Sequence, residues 1–98
     1  MLDKAALKSF AAKYIWWEAP EVAVTYPERV VAQVMNLGDY DDVLKLVNQI
    51  GEGELRKNLL VAEPGWFNER SWAYWHLRLG VVSPGEGRIP DMPRRVFA

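Results

Sequence analysis

The stretch PERVVAQVMNLGDYDDVLKLVNQIG, residues 27–51, decides the fold of this chain. Apolar side chains recur at helical spacing on both sides of the short break Leu37-Gly38-Asp39. Before the break these are Val30, Val31, Val34 and Leu37, and after it Val43, Leu46, Val47 and Ile50. The pattern predicts two amphipathic helices joined by a tight turn.

Local signals mark the ends of these two helices. The segment Thr25 to Glu28 has the S/T-x-x-E form of a capping box and predicts Thr25 as the N-cap of the first of the two. Gly38 is predicted to end it in the left-handed C′ conformation. Asp39 is predicted to cap the next helix, whose first-turn acids Asp41 and Asp42 suit the helix dipole and a solvated face. Gly51 is predicted to end that helix.

Three further helices are predicted outside this stretch. The first covers residues 2–17 and ends before Pro20, with an apolar face of Leu7, Phe10, Ala11, Tyr14 and Trp17. A short helix over residues 53–62 is ended by Pro64-Gly65. The last begins at the N-cap Asn68 and ends at Gly80, with Trp72, Trp75 and Leu79 facing a small core.

The remaining segment, residues 81–98, contains three prolines and two glycines, which favours an extended tail. The sequence therefore predicts an all-α fold, a compact bundle of about five short helices. We expect a helical domain over residues 1–80 and an extended C-terminal tail over residues 81–98.

Bulk composition excludes several classes of function. The chain of 98 residues has no cysteine, so it has no disulfide framework and no thiolate chemistry. A net charge of −1 provides no general attraction to nucleic acid or to anionic membranes. Lys4, Lys8 and Lys13 interrupt the N-terminal apolar residues, and no stretch approaches the roughly 18 apolar residues of a membrane span. We expect a cytoplasmic protein without membrane contact, cofactor or metal.

Arg70 and His76 are the one candidate catalytic pair. Their spacing matches the R-x4–6-H pattern of the HEPN ribonucleases, in which two copies would cleave RNA by acid–base chemistry. Six helical residues, however, place the two side chains on different faces. His76 shares a face with Trp72, Trp75 and Leu79, which favours a histidine at the edge of the core over a ribonuclease.

The aromatic residues point to a protein partner. Tyr74 and Leu77 lie off the core stripe of the last helix, and Trp16 lies off that of the first, so more apolar surface is present than one core face needs. The tail either folds back over the domain or occupies an acidic groove of a partner. Candidate partner-binding residues are Trp16, Trp17, Tyr74, Arg78, Arg94, Arg95 and Phe97.

The turn at Gly38 resembles that of a helix-turn-helix, but the following helix begins with acidic residues where a DNA-reading helix needs basic ones. This disfavours direct DNA binding. A transcriptional autoregulator remains the third functional hypothesis.

Three motifs carry a resemblance that covers nearly the whole chain: FAAKYIWW (residues 10–17), PERVVAQVM (27–35) and RSWAYWH (70–76). They resemble a family of small bacterial proteins that are typically encoded beside nucleotidyltransferase-like toxins of the abortive-infection type. The resemblance implies an antitoxin, or a partner of such a toxin, and it brings no catalytic residues to this chain.

Overall fold

The computed structural model describes residues 4–82, 85 and 87–93, and all regular structure among them is helical. The helices are α1 (Lys4–Tyr14), α2 (Pro20–Ala23), α3 (Pro27–Leu37), α4 (Tyr40–Leu60) and α5 (Glu69–Arg78). The predicted all-α fold is confirmed, and residues 87–93 follow the helices without regular structure.

Helix α3 is the centre of the fold, because it packs against α1, α4 and α5. Val30 and Val34 of α3 are completely buried, as are Leu46 and Leu55 of α4. Trp75 of α5 is the largest of the fully buried side chains. Burying large side chains of this kind is the main stabilising contribution available to a domain of this size.

The turn between α3 and α4 forms as predicted, but Gly38 acts differently. Asp39 caps α4, and its Oδ1 accepts a hydrogen bond of 2.9 Å from the main-chain N–H of Asp42. Gly38 has φ −62° and ψ 145°, which is extended and not left-handed. A Cβ at this position would collide with the main-chain oxygen of Val34. Glycine is therefore required here by the close approach of the turn to α3.

Helix α4 bends at Gly51, where φ 79° and ψ 162° interrupt the helical conformation. The helix predicted to end at Gly51 and the helix predicted to start near Gly53 are thus two segments of one bent helix. Leu55 and Leu59 of the second segment enter the core.

Helix α1 ends three residues earlier than predicted. The Gln33 amide donates a hydrogen bond of 3.1 Å to the main-chain oxygen of Tyr14, which a continuing helix would need for its own N–H groups. Residues 15–19 form a turn, and Pro20 begins α2 at its N1 position instead of only ending α1. The prediction of a helix to Trp17 was wrong because a side chain of α3 caps α1.

The predicted capping box at Thr25 is also wrong. The Thr25 hydroxyl donates to the main-chain oxygen of Val22 at 2.6 Å and so belongs to the end of α2. Tyr26 occupies the N-cap position of α3 without a side-chain capping bond. Pro27 at N1 supplies a preset helical φ there and lacks an N–H that would need a cap.

Helix α5 begins as predicted. The Asn68 side chain accepts a hydrogen bond of 2.8 Å from the N–H of Ser71. The Asn68 N–H donates in turn to the side-chain oxygen of Asn36 at 3.0 Å, and the Ser71 hydroxyl donates to the Asn36 carbonyl at 3.1 Å. The start of α5 is therefore fastened to the end of α3.

Candidate functional site

Two adjacent tryptophans stand out on the surface. Trp16 is 78% exposed and Trp17 is 53% exposed, and their rings meet edge to face with centroids 5.6 Å apart. Both lie in the turn after α1, which the Gln33 bond to Tyr14 holds in place. Trp17 thus lies outside the buried face to which its spacing assigned it, while Ile15 is fully buried instead.

Trp17 continues into a groove that also contains Tyr26, Arg29, Glu63 and Trp66; we call it the aromatic groove. It consists of two concavities, of about 540 and 370 Å³, which share Arg29, Glu63 and Trp66. Volumes of this size suit side chains of a binding partner.

Arg29 lines both concavities of the aromatic groove and is held by an ion pair with Glu18. Its Nε is buried and has no hydrogen-bond acceptor among the described residues. The guanidinium lies 5.4 Å from the centroid of the Tyr26 ring, so that ring is also positioned by the arginine.

A second exposed surface runs along α5. Arg70, Tyr74 and Arg78 are spaced at i, i+4 and i+8, and all three are exposed. Together with Tyr40 and Leu44 from the start of α4 they surround a concavity of about 310 Å³, which we call the arginine groove. The predicted partner-binding residues Tyr74 and Arg78 therefore share a groove, and Trp16 and Trp17 lie together outside it.

Arg78 is held in place by aromatic neighbours. Its Nη1 donates a hydrogen bond of 3.0 Å to the Tyr74 hydroxyl. Its guanidinium carbon lies 5.0 Å from the centroid of the buried Trp75 ring. The cation is thus ordered without any carboxylate partner among the described residues.

The structure separates Arg70 from His76 in environment. Arg70 is exposed, whereas His76 is only 4% exposed. The Nδ1 of His76 lies 2.7 Å from the main-chain oxygen of Trp72. The centroids of the His76 and Trp72 rings lie 4.3 Å apart. Arg70, which is exposed, and His76, which is buried, therefore do not form a common site within one chain.

A polar cluster that the sequence did not reveal joins α1 to α4. Lys13 Nζ lies 2.6 Å from the Asp42 carboxylate and 3.0 Å from that of Asp39. The Tyr14 hydroxyl donates to the same oxygen of Asp42 at 2.6 Å. Asp42 is buried, so its assignment to a solvated face was wrong. A charge pattern along α4 alone does not show which acid meets a lysine 29 residues earlier.

Hydrogen bonds and charges in this cluster shift four pKa values. The Lys13 ammonium and the Tyr14 hydroxyl lower the pKa of Asp42. The Asp42 N–H and Lys13 lower the pKa of Asp39. Both carboxylates raise the pKa of Lys13, and burial followed by the bond to Asp42 raises that of Tyr14. The ion pairs of Lys13 with Asp39 and Asp42 join α1 to the start of α4, which suits a structural role.

The predicted tail residues Arg94, Arg95 and Phe97 lie outside the described residues. The part of the tail before them lies back on the helices: the Trp72 indole donates a hydrogen bond of 2.7 Å to the Pro90 carbonyl, and Ile89 and Met92 pack against the core.

Sequence reasoning missed Tyr26 and Tyr40 as surface residues, with Tyr40 77% exposed, and the half-buried Trp66 as a residue that lines the aromatic groove. Tyr26 and Trp66 adjoin the prolines and glycine of helix breaks, where a ring has no helix face to join. An aromatic residue beside a helix-breaking proline or glycine was therefore the sequence signal for an exposed or groove-lining ring.

Comparison with family models, curated proteins and solved structures gave no match. Across residues 4–82, 85 and 87–93, no group of three or more acidic or histidine side chains has the arrangement of a metal site. No helix in that same part of the chain is long and apolar enough to cross a membrane.

Proposed function

We propose that this protein is a non-enzymatic binding module that neutralises a cognate nucleotidyltransferase toxin by direct contact. The observation that carries the proposal is the exposed pair Trp16 and Trp17 beside the aromatic groove. The nature of the partner rests on the resemblance in the three sequence motifs.

Energetics support a docking role for this surface. Exposed tryptophans leave a large apolar area in water, and each ring buries on the order of 150–250 Å² when it is covered. Tryptophan also dominates the affinity of many protein interfaces, since it gains much contact area at little cost in conformational entropy. A small domain with five tryptophans has no packing reason to leave two adjacent ones outside its core.

The local order of this surface supports the same role. The Gln33 bond to Tyr14 and the Glu18–Arg29 ion pair hold the turn that presents both rings. A preordered surface loses less entropy on binding than a flexible one, so more of its contact energy becomes affinity.

Co-expression with the product of the neighbouring gene tests the proposal. We expect the wild-type protein to co-purify with the toxin and to relieve its toxicity. Trp16→Ala/Trp17→Ala should weaken the complex by about thirtyfold or more, as for the loss of an interface hot spot of about 2 kcal/mol. Absence of a complex together with undiminished toxicity would show that the proposal is wrong.

Leu60→Ala is the matched control, because Leu60 is 82% exposed and lines neither groove. We expect this variant to bind the toxin as the wild-type protein does. An equal loss in both variants would indicate a general effect of removing exposed apolar surface and would remove the assignment to Trp16 and Trp17.

A further inference from the structure

The arginine groove has positive charge at both ends and apolar surface between them. Arg70 and Arg78 are separated by eight helical residues, which places their Cα atoms about 12 Å apart at 1.5 Å per residue. Tyr74, which is 51% exposed, lies midway between them on the same side of α5. Tyr40 and Leu44 of α4 form the opposite wall.

Neither arginine is neutralised within the described chain. The Arg70 side chain makes no hydrogen bond or ion pair with the residues that the structure describes, and the Arg78 side chain donates a hydrogen bond only to the neutral Tyr74 hydroxyl among them. Among the described residues, no aspartate or glutamate lines the groove. Because a guanidinium presents a fork of donors that fits a carboxylate, this surface is complementary to acidic groups.

The distance between Arg70 and Arg78 determines the spacing of the acidic residues in a peptide that contacts both. In an extended peptide, residues i, i+2 and i+4 face the same side, and i and i+4 lie about 13 Å apart at 3.3 Å per residue. Two acidic residues at i and i+4 therefore match the separation of Arg70 and Arg78. The side chain at i+2 then lies over Tyr74 and Leu44, where an apolar residue fits.

We propose that the arginine groove binds an acidic, extended segment of the protein partner, with one carboxylate at Arg70, one at Arg78 and an apolar side chain between them. The inference rests on the proposed protein-binding function and names the chemistry of the contact. It also assigns to Arg70 a binding role instead of a catalytic one.

Charge distribution favours a peptide over a nucleic acid. The turn beside the groove carries Asp39 and the exposed Asp41 at the start of α4. These carboxylates repel a backbone with one negative charge at every nucleotide more strongly than a short peptide with only two carboxylates. The net charge of −1 adds no long-range attraction for a polyanion.

A titration with defined probes tests the inference by nuclear magnetic resonance on the full-length protein. The acidic probe is a capped peptide with the core Glu-Ser-Leu-Ser-Glu, and its control carries Lys in place of both Glu residues. We expect the acidic probe to shift the Arg70 and Arg78 side-chain N–H signals saturably and to bind about tenfold or more tightly than the lysine probe, because only the acidic probe forms charge-assisted bonds.

Arg70→Ala/Arg78→Ala should weaken binding of the acidic probe by about tenfold or more, since each lost guanidinium removes a charge-assisted bond. Lys4→Ala/Lys57→Ala removes the same charge from exposed positions outside the groove and should leave binding unchanged. Lack of saturable shifts, equal binding of the lysine probe or undiminished binding by the arginine variant would overturn the inference. Tighter binding of a thymidine hexanucleotide would overturn it as well, because the groove would then be a phosphate site.

Formation of the toxin complex, measured beside binding of the acidic probe, distinguishes a failure of this inference from a failure of the proposed function. If the acidic probe binds as expected and the toxin does not co-purify, the groove chemistry stands and the toxin assignment is wrong. If the probe does not bind and the toxin complex forms equally well with the arginine variant, the groove inference is wrong and the proposed function stands.

Discussion

The indole Nε1 of Trp75 donates a hydrogen bond of 2.8 Å to the main-chain carbonyl of Met35, forty residues earlier. Met35 lies in the last turn of α3, where carbonyl groups have no partner within the helix. The Ser71 hydroxyl bonds the next carbonyl, that of Asn36. Side chains of α5 therefore cap α3, and the buried tryptophan contributes both apolar area and a hydrogen bond.

Replacement of Trp75 by Phe removes the indole N–H and also part of the buried ring area. The ring stays apolar, but the Met35 carbonyl loses its donor in a buried position, which costs about 1–3 kcal/mol. We expect a matching fall in the free energy of unfolding, measured by urea denaturation. Trp16→Phe, at an exposed position, should change it by less than about 0.5 kcal/mol. Equal effects of the two substitutions would contradict a capping role for Trp75.

Gly38 and Gly53 should respond to alanine in opposite ways. A Cβ at Gly38 collides with the Val34 carbonyl, so Gly38→Ala must shift the turn between α3 and α4 and lower stability by about 1–3 kcal/mol. At Gly53, within α4, a Cβ meets nothing within 4 Å, so Gly53→Ala should raise stability by about 0.5–1 kcal/mol. Thermal unfolding of both variants measures the difference, and a stable Gly38→Ala protein would refute the close-approach argument.

The Asp42 cluster should make stability depend on pH in the acid range. Lys13 and Tyr14 hold the folded-state pKa of Asp42 below its ordinary value of about 3.9, so the unfolded chain binds more protons there. The stabilising contribution of Asp42 is therefore complete above about pH 4 and is lost as the pH falls through the folded-state pKa.

Asp42→Asn should lower the free energy of unfolding by about 1–3 kcal/mol at pH 7, since the Lys13 and Tyr14 bonds lose their anionic acceptor. The difference from the wild-type protein should shrink as denaturation is measured at successively lower pH below 4. Asp41→Asn removes an exposed carboxylate from the same turn and should retain the wild-type pH dependence. If the free energies of unfolding of Asp42→Asn and the wild-type protein differed by the same amount at all pH values, the lowered pKa of Asp42 would be contradicted.

Substitutions of His76 and Arg70 test the ribonuclease hypothesis. His76→Ala should destabilise the protein by about 1–3 kcal/mol, because it opens a cavity beside Trp72 in the core. Arg70→Ala should change stability by less than about 0.5 kcal/mol, since Arg70 is exposed. The ribonuclease hypothesis instead requires that purified protein cleaves RNA and that the stable Arg70→Ala variant loses this cleavage.

Several features of the fold followed from sequence because they depend on neighbouring residues only. Asp39 and Asn68 cap the helices that they precede, since each side chain bonds an N–H three positions later. The break at Gly51 follows from the conformational freedom of glycine. The apolar spacing of α3, α4 and α5 identified most of their buried faces, including that of Trp75, although Leu37 at the end of α3 is 57% exposed.

Contacts between residues distant in sequence determined the structure at positions where they competed with local sequence signals. Tyr14 ends α1 because Gln33 takes its carbonyl, and Asp42 is buried because Lys13 and Tyr14 reach it across the fold. The exposure of Trp17 follows from that early helix end, which no pattern within residues 4–20 encodes. A side chain's periodicity shows which face of a helix it occupies, but only packing determines whether that face is covered, since coverage depends on elements distant in sequence.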